Sequence, residues 1–293
     1  MSTSSASPTS YSPSRPTGTT SSKSSTCFPF TSKGFSDGTV PTMSRKDWWC
    51  EDKEMYGFLD CSDPSNQLAK ITTDLKRMKK EFGATFVRPY GVECREVSIW
   101  ENLVKACVEV NMALIAQVWF GFQEDQTLWT KGQSSIYELF TTSSLASIAP
   151  FVVHSASFGS EPIGDWVDGD NFVRDLASFR SKMKSFGIPV GISEDWDRPN
   201  RMREGSVVAG IGSEVLANTD VAQLHVMGYY HPDEVPTIDE AWEYTKQQVE
   251  WAQRALKQPT MITETMWSSA QGGSHSRGAH DDESTLENYD KYW

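Results

Sequence analysis

The sequence predicts an α/β fold of the TIM (β/α)8 type that lacks its eighth βα unit. Three observations carry this. Seven short apolar runs recur, starting at positions 56, 84, 113, 151, 189, 222 and 260; amphipathic stretches of helical length separate them; several runs are apolar on both faces. That spacing accommodates a strand, a crossover helix and two loops, and a strand covered by helices has no polar face to show. A doubly wound sheet is the rival architecture. No glycine-rich phosphate loop follows any of the runs, which disfavours it.

The predicted strands are Tyr56–Asp60, Ala84–Tyr90, Ala113–Phe120, Phe151–Phe158, Pro189–Glu194, Ala222–Tyr229 and Thr260–Glu264. Between the first two, Gln67–Phe82 carries Leu68, Ile71, Leu75 and Met78 at helical spacing, with Lys76, Arg77, Lys79 and Lys80 toward its end, where cations suit the helix dipole, and Gly83 as the stop. Asn171–Phe186 repeats the design and ends in Gly187, and Ile238–Leu256 is a third long helix. Ser284–Trp293 reads as the opening of the seventh helix, which leaves no room for an eighth strand. A truncated gene product is therefore expected, with open edges on its first and seventh strands.

Of the first 30 residues, 21 are Ser, Thr or Pro. Such a segment has too little to bury to offset the entropy of ordering, so residues 1–45 are expected to be disordered and 46–293 to form the barrel. The segment fits an O-glycosylated stalk or a plain flexible leader equally well. It has no apolar centre after a basic start, so it is not a signal peptide, and no Asn-x-Ser/Thr acceptor occurs in the chain.

Net charge is −12 (27 Lys+Arg against 39 Asp+Glu), which argues against nucleic acid or an anionic membrane surface as partner. The longest apolar stretch, Met112–Phe122, is broken by Gln117 and is too short for the ~20 residues of a membrane span. A monomer is expected. The five cysteines form no Cys-x-x-Cys, which removes zinc ribbons and thioredoxin-type motifs. Cys61 and Cys94 follow adjacent strands one and two, close enough for a predicted disulfide, which would favour an oxidising, extracellular setting. Cys107 reads as a buried core thiol. Cys27 and Cys50 could pair, although Cys27 lies in the flexible leader.

Barrels of this type carry their chemistry at the C-terminal ends of the strands. Those ends offer Asp60, Tyr90, Trp119, Glu161, Glu194, Tyr229–His231 and Glu264. Glu161, in Phe158-Gly159-Ser160-Glu161-Pro162, and Glu264, in Ile262-Thr263-Glu264-Thr265-Met266-Trp267, form a candidate carboxylate pair. Two carboxyls can cleave a glycosidic bond, one protonating the leaving oxygen while the other attacks the anomeric carbon. Trp119, Trp166, Trp196, Tyr230 and Trp267 lie near the same rim and could stack on sugar faces. Of Tyr229 and Tyr230, one is expected to pack and one to face substrate. Glu194 and Asp195 could bind hydroxyls or tune the acid, and a salt bridge to Arg198 or Arg201 is the plainer reading. His225 and His231 with Glu194 lack any metal-ligand spacing, so no metal is expected.

Three segments carry a family resemblance. Gly159-Ser160-Glu161-Pro162 resembles the Gly-Asn-Glu acid/base motif of glycoside hydrolase family 17, the fungal β-1,3-glucanases and glucanosyltransferases. Glu264-Thr265-Met266-Trp267-Ser268 resembles its Glu-Thr-Gly-Trp-Pro nucleophile motif, and Val87-Arg88-Pro89-Tyr90-Gly91 its strand-two Val-Arg-Leu-Tyr-Gly. Ser160 stands where the family carries Asn, and Met266 where it carries Gly. The similarity spans residues 48–293.

The resemblance implies a retaining hydrolase of cell-wall β-glucan, with β-1,3 linkages favoured. Glu161 would be acid/base and Glu264 nucleophile, with no cofactor needed. Arg88, Tyr90, Trp119, Ser160, Trp196, Tyr229, Tyr230 and Trp267 would be the substrate-binding set. It implies an extracellular or wall location, a carboxyl separation near 5–5.5 Å and a raised pKa on Glu161. A β-glucan transglycosylase and a non-catalytic carbohydrate-binding or wall-associated protein are the alternatives.

Overall fold

The computed structural model describes residues 27–29, 35, 39–50, 58–60, 68–90, 95–120, 127–164, 169–269 and 284–293. In chain order the strands are β1 Phe58–Asp60, β2 Phe86–Tyr90, β3 Ala113–Val118, β4 Val153–Ser160, β5 Val190–Glu194, the short β6 Arg203–Glu204 and β7 Val207–Val208, β8 Ala222–His225 and β9 Thr260–Glu264. Seven of them form one sheet in the order β1-β2-β3-β4-β5-β8-β9, and every neighbouring pair is parallel. The predicted fold class and all seven strand positions stand.

The sheet is curled. β2 and β9 lie five steps apart in this order, about 24 Å in a flat sheet at ~4.8 Å per step. Yet Arg88 on β2 donates to the carbonyl of Thr263 on β9 at 2.8 Å. Only a barrel wall brings those strands together across its interior. Among the described residues, no further strand pairs with β1 or β9.

Helices cover the outside: α2 Leu68–Phe82, α3 Val97–Val110, α4 Leu128–Thr141, α6 Gly169–Lys184, α8 Ile238–Leu256 and α9 Leu286–Tyr292, with the short α1 Arg45–Trp48, α5 Ala149–Val152 and α7 Ile211–Ala217 between them. α2 buries Ile71 and Leu75, as its apolar spacing requires, and ends before Gly83, whose φ of 71° suits only glycine without cost. Lys79 at its end donates to the carbonyls of Val110 and Asn111, closing the C-terminus of α3. α8 begins in a capping box, Thr237 with Glu240, and α9 packs where a seventh helix belongs, with Lys291 paired to Asp239 of α8. β3, β4 and β5 are buried along their whole length, as strands covered on both faces must be. No helix among the described residues is long and apolar enough to cross a membrane.

Several strand boundaries shift by one to four residues from expectation. Pro150 lies in the first turn of the helical segment α5, Ala149–Val152, so β4 begins at Val153 and not Phe151. β3 stops at Val118, and β8 stops at His225 because Gly228–Tyr230 forms a 3-10 turn.

The ordered N-terminal part starts earlier than composition implies. Phe28 is fully buried and stacks on Trp48 at 5.1 Å. Cys27 is disulfide-bonded to Cys50. Trp48 donates through Nε1 to the carbonyl of Phe151 at 2.7 Å, and Arg45 to those of Val153 and His154. These partners lie at the start of β4, so the cluster closes the barrel end opposite the carboxylates. The expected disorder of 1–45 is corrected for these residues: one buried aromatic ring and a disulfide outweigh a Ser/Thr/Pro-rich average. Cys61 and Cys94, the predicted pair, lie outside the described residues. Cys107 is buried as a free thiol, and burial pushes its pKa up.

Candidate active site

Two backbone irregularities aim the carboxylates. Along β4 and β5 the register slips between Ser157 and Ser160, so β4 carries one extra residue just before Glu161. Gly159 has φ 104°, and a Cβ there would lie 2.7 Å from Cγ of Pro162. Only glycine fits under that proline ring. Glu161 itself is left-handed (φ 47°), a strained position for a side-chain-bearing residue, and its amide is tied to the carbonyl of Ser193 at 2.7 Å. On the opposite wall the register slips between β8 and β9, which sets Glu264 beside His225. Bulges of this kind re-aim side chains at barrel rims.

The result is a cavity of about 350 Å³ at the C-terminal strand ends. Trp119, Ser160, Glu161, Asp195, Arg198, His225, Met227, Tyr230, His231 and Glu264 line it. His225 contacts both carboxylates: Nδ1 is 2.9 Å from Oε1 of Glu161 and Nε2 is 3.3 Å from Oε2 of Glu264. Arg198 reaches Oε2 of Glu161 at 3.3 Å. From below, buried Arg88 donates to Gln117 at 2.6 Å, to Ser160 Oγ at 2.9 Å and to the Thr263 carbonyl, and it lies 3.6 Å from Glu264.

These neighbours decide the electrostatics. Burial by itself raises the Glu161 carboxyl, but the hydrogen bond and charge of His225, then Arg198 and Arg88, outweigh it and hold the carboxyl below its ordinary value. That corrects the expected raised pKa: Glu161 sits beside an imidazole and two guanidinium groups, not in an apolar pocket. Burial pushes the Tyr230 phenol up, with Tyr229 and both glutamates adding to it, so Tyr230 faces the cavity as a neutral hydroxyl.

Glu194 does not reach the cavity. It is fully buried, accepting from Arg198 Nε at 2.7 Å, the Ile163 amide at 2.8 Å, the Gly164 amide at 3.3 Å and the Asp195 amide at 2.9 Å. Burial pushes its carboxyl up, against the pull of Arg198 and the Ile163 amide. The salt bridge to Arg198 is the structural reading of this acidic group. Through it, Glu194 staples the loop that carries Glu161. Asp197 is likewise structural, bound by Tyr244 and Arg203.

Of the expected substrate-binding set, Trp119, Ser160 and Tyr230 line the cavity, and Tyr230 is the exposed tyrosine of its pair. Three others are corrected to packing residues. Trp196 is buried outside the cavity; Tyr229 bonds through its hydroxyl to Ser284 at 2.8 Å; Trp267 is buried between Tyr229 and Tyr292. Arg88 acts from beneath the floor. Tyr90 ends β2, but its side chain, like all of Trp166, lies outside what the structure describes. His225 and Arg198 are the functional neighbours that sequence reading did not assign to the carboxylates. Among the described residues, no group of three or more His, Cys, Asp or Glu side chains is arranged to hold a metal ion.

No family model matches the sequence, and no curated protein matches it. Solved structures do. An active-site mutant of the Rhizomucor miehei beta-1,3-glucanosyltransferase, in complex with laminaritriose, superposes with a TM-score of 0.57 at 17% identity, covering 81% of this chain and 79% of that one. The fold shared with it is a (β/α) barrel. Lactobacillus rhamnosus beta-glucuronidase matches with a TM-score of 0.53 at 18% identity, over 82% of this chain and 40% of the enzyme. A Ruminococcus gnavus b-glucuronidase bound to C6-substituted uronic isofagomine matches with 0.53 at 16%, over 87% and 42%. The barrel therefore spans less than half of each glucuronidase.

Proposed function

We propose that this chain is a retaining glycoside hydrolase of β-glucan, akin to family 17, with Glu161 as acid/base and Glu264 as nucleophile. The observation that carries the reading is the meeting of two strand-end carboxylates, from β4 and β9, in one cavity around a shared imidazole. In the first step the Glu264 carboxylate bonds to the anomeric carbon while the glycosidic bond breaks and Glu161 protonates the departing oxygen. In the second, Glu161 takes a proton from water as that water displaces Glu264. Trp119 and Tyr230 offer faces to the sugar rings. Met227 and the short Ser160 shape the space beside them.

The β-1,3 linkage rests on the motif resemblance, and the glucanosyltransferase among the fold neighbours agrees with it. That neighbour also favours a second reading, transfer to an acceptor sugar in place of water, which uses the same two carboxylates. The Cys27–Cys50 disulfide supports an oxidising, extracellular location. We take the chain to act as a monomer.

Reducing-sugar release from a soluble β-1,3-glucan tests the reading. Release by the wild type that is lost in Glu264→Ala supports it. Elongated oligosaccharides without net release indicate transfer. Glucan binding without either product indicates a non-catalytic binder and overturns the enzyme assignment.

A further inference from the structure

We propose that His225 is a positioning residue that ties both reactive carboxylates to one imidazole and governs when Glu161 holds its proton. This rests on the glycosidase reading above and deepens it. The tautomer of His225 is legible from its surroundings. Thr263 Oγ1 donates to the Leu224 carbonyl at 3.2 Å, so its oxygen is left to accept from Ser193 at 2.6 Å. Ser193 Oγ, having donated to Thr263, accepts from His225 at 2.6 Å, which places a proton on Nε2. Nε2 also faces Glu264 Oε2 at 3.3 Å, and Nδ1 is left facing Glu161 Oε1 at 2.9 Å.

One proton then lies on the Nδ1···Oε1 line. When it resides on Glu161, the carboxyl donates to Nδ1 of a neutral ring; when it resides on His225, Nδ1–H donates to the carboxylate. Passing it across changes neither the proton count nor the charge of the pair. A pH–rate profile therefore reads this shared proton and not Glu161 alone. The charged and titratable groups around this pair come from each packed element: Arg88 of β2, Asp195 and Arg198 after β5 with Glu194 buried behind them, Glu264 of β9, and Tyr230 and His231 after β8.

Amide substitutions separate the two ring bonds. An Asn side chain places its amide where Nδ1 stands, and a Gln side chain places it nearer Nε2. With β-1,3-glucan as substrate, His225→Gln is expected to lower kcat by about 10- to 100-fold with KM little changed, and to move the basic limb of the pH profile to higher pH. His225→Asn, keeping a bond to Glu161, should retain more of kcat. Wild-type pH limbs in both variants would overturn the proposal.

A readout without turnover keeps the inference separate from the glycosidase reading. In the 15N-histidine NMR spectrum of the full wild-type chain, Nε2 of His225 should be protonated, and the Nδ1 signal should change in Glu161→Gln. If no glucan is cleaved, the glycosidase reading fails while this spectrum still decides the pairing. An Nδ1-only tautomer, or a ring indifferent to Glu161→Gln, would overturn it.

Discussion

Arg198 Nε lies 2.7 Å from Oε1 of Glu194, a carboxylate with no exposed side-chain surface. The same guanidinium turns its Nη2 to Glu161, so this ion pair props from behind the residue we propose as acid/base. Replacing Glu194 leaves Arg198 with Glu161 alone as counter-charge and the Ile163, Gly164 and Asp195 amides with a poorer acceptor. Glu194→Gln is expected to cost about 1–3 kcal/mol of folding stability, read as a lower urea midpoint, and to reduce turnover by freeing the Glu161 loop. An unchanged midpoint would show that Arg198 needs no partner there.

Gly159 is expected to tolerate no side chain. Its φ is 104°, and a methyl group on its Cα would sit 2.7 Å from the Pro162 ring, so Gly159→Ala forces either the backbone or the proline to move. The loss should be about 1–3 kcal/mol, with turnover falling more steeply than stability because Glu161 lies two residues on. Thermal melting and turnover measured together check this. A variant as active as the wild type would mean the bulge does not aim the acid.

The cations around Glu161 give a signed pH dependence. Burial opposes ionisation, but His225, Arg198 and Arg88 prevail and the folded-state pKa is depressed. A depressed carboxyl adds stability above the ordinary carboxylate range, and that stability is lost as pH falls through the folded value. Wild-type melting temperature should therefore fall on acidification by more than that of Glu161→Gln. In the proposed mechanism turnover needs Glu161 protonated, so the rate should rise below neutrality until acid unfolding intervenes. A rate maximum at alkaline pH would contradict this.

The Cys27–Cys50 disulfide closes a segment of 23 residues that includes Phe28 and Trp48. Reducing it, or replacing both cysteines by serine, should cost about 3 kcal/mol by the loop-entropy relation. Equal urea midpoints for oxidised and reduced protein would show that the aromatic cluster holds without it.

The repeat of βα units was legible because period and apolarity are local properties, and the strand-end placement of Glu161 and Glu264 in one cavity was legible because strand ends mark one face of a barrel. His225 was not. Its position beside Glu264 depends on a register slip near Thr263 that no local pattern announces. Trp196, Tyr229 and Trp267 looked like rim aromatics, but a rim position does not say which way a ring turns, and theirs turn into the packing. Phe28 was hidden by the composition of its neighbours. Arg88 carried a motif, yet its task became visible only once the sheet curled and brought β9 within its reach.

The most direct test of the central claim is covalent trapping. Incubation with a 2-deoxy-2-fluoro-β-glucosyl or laminaribiosyl fluoride, followed by peptide mass spectrometry, should find one sugar bonded to Glu264, with none in Glu264→Gln. A stable adduct on another carboxylate, or glucan cleavage that persists without Glu264, would contradict the assignment.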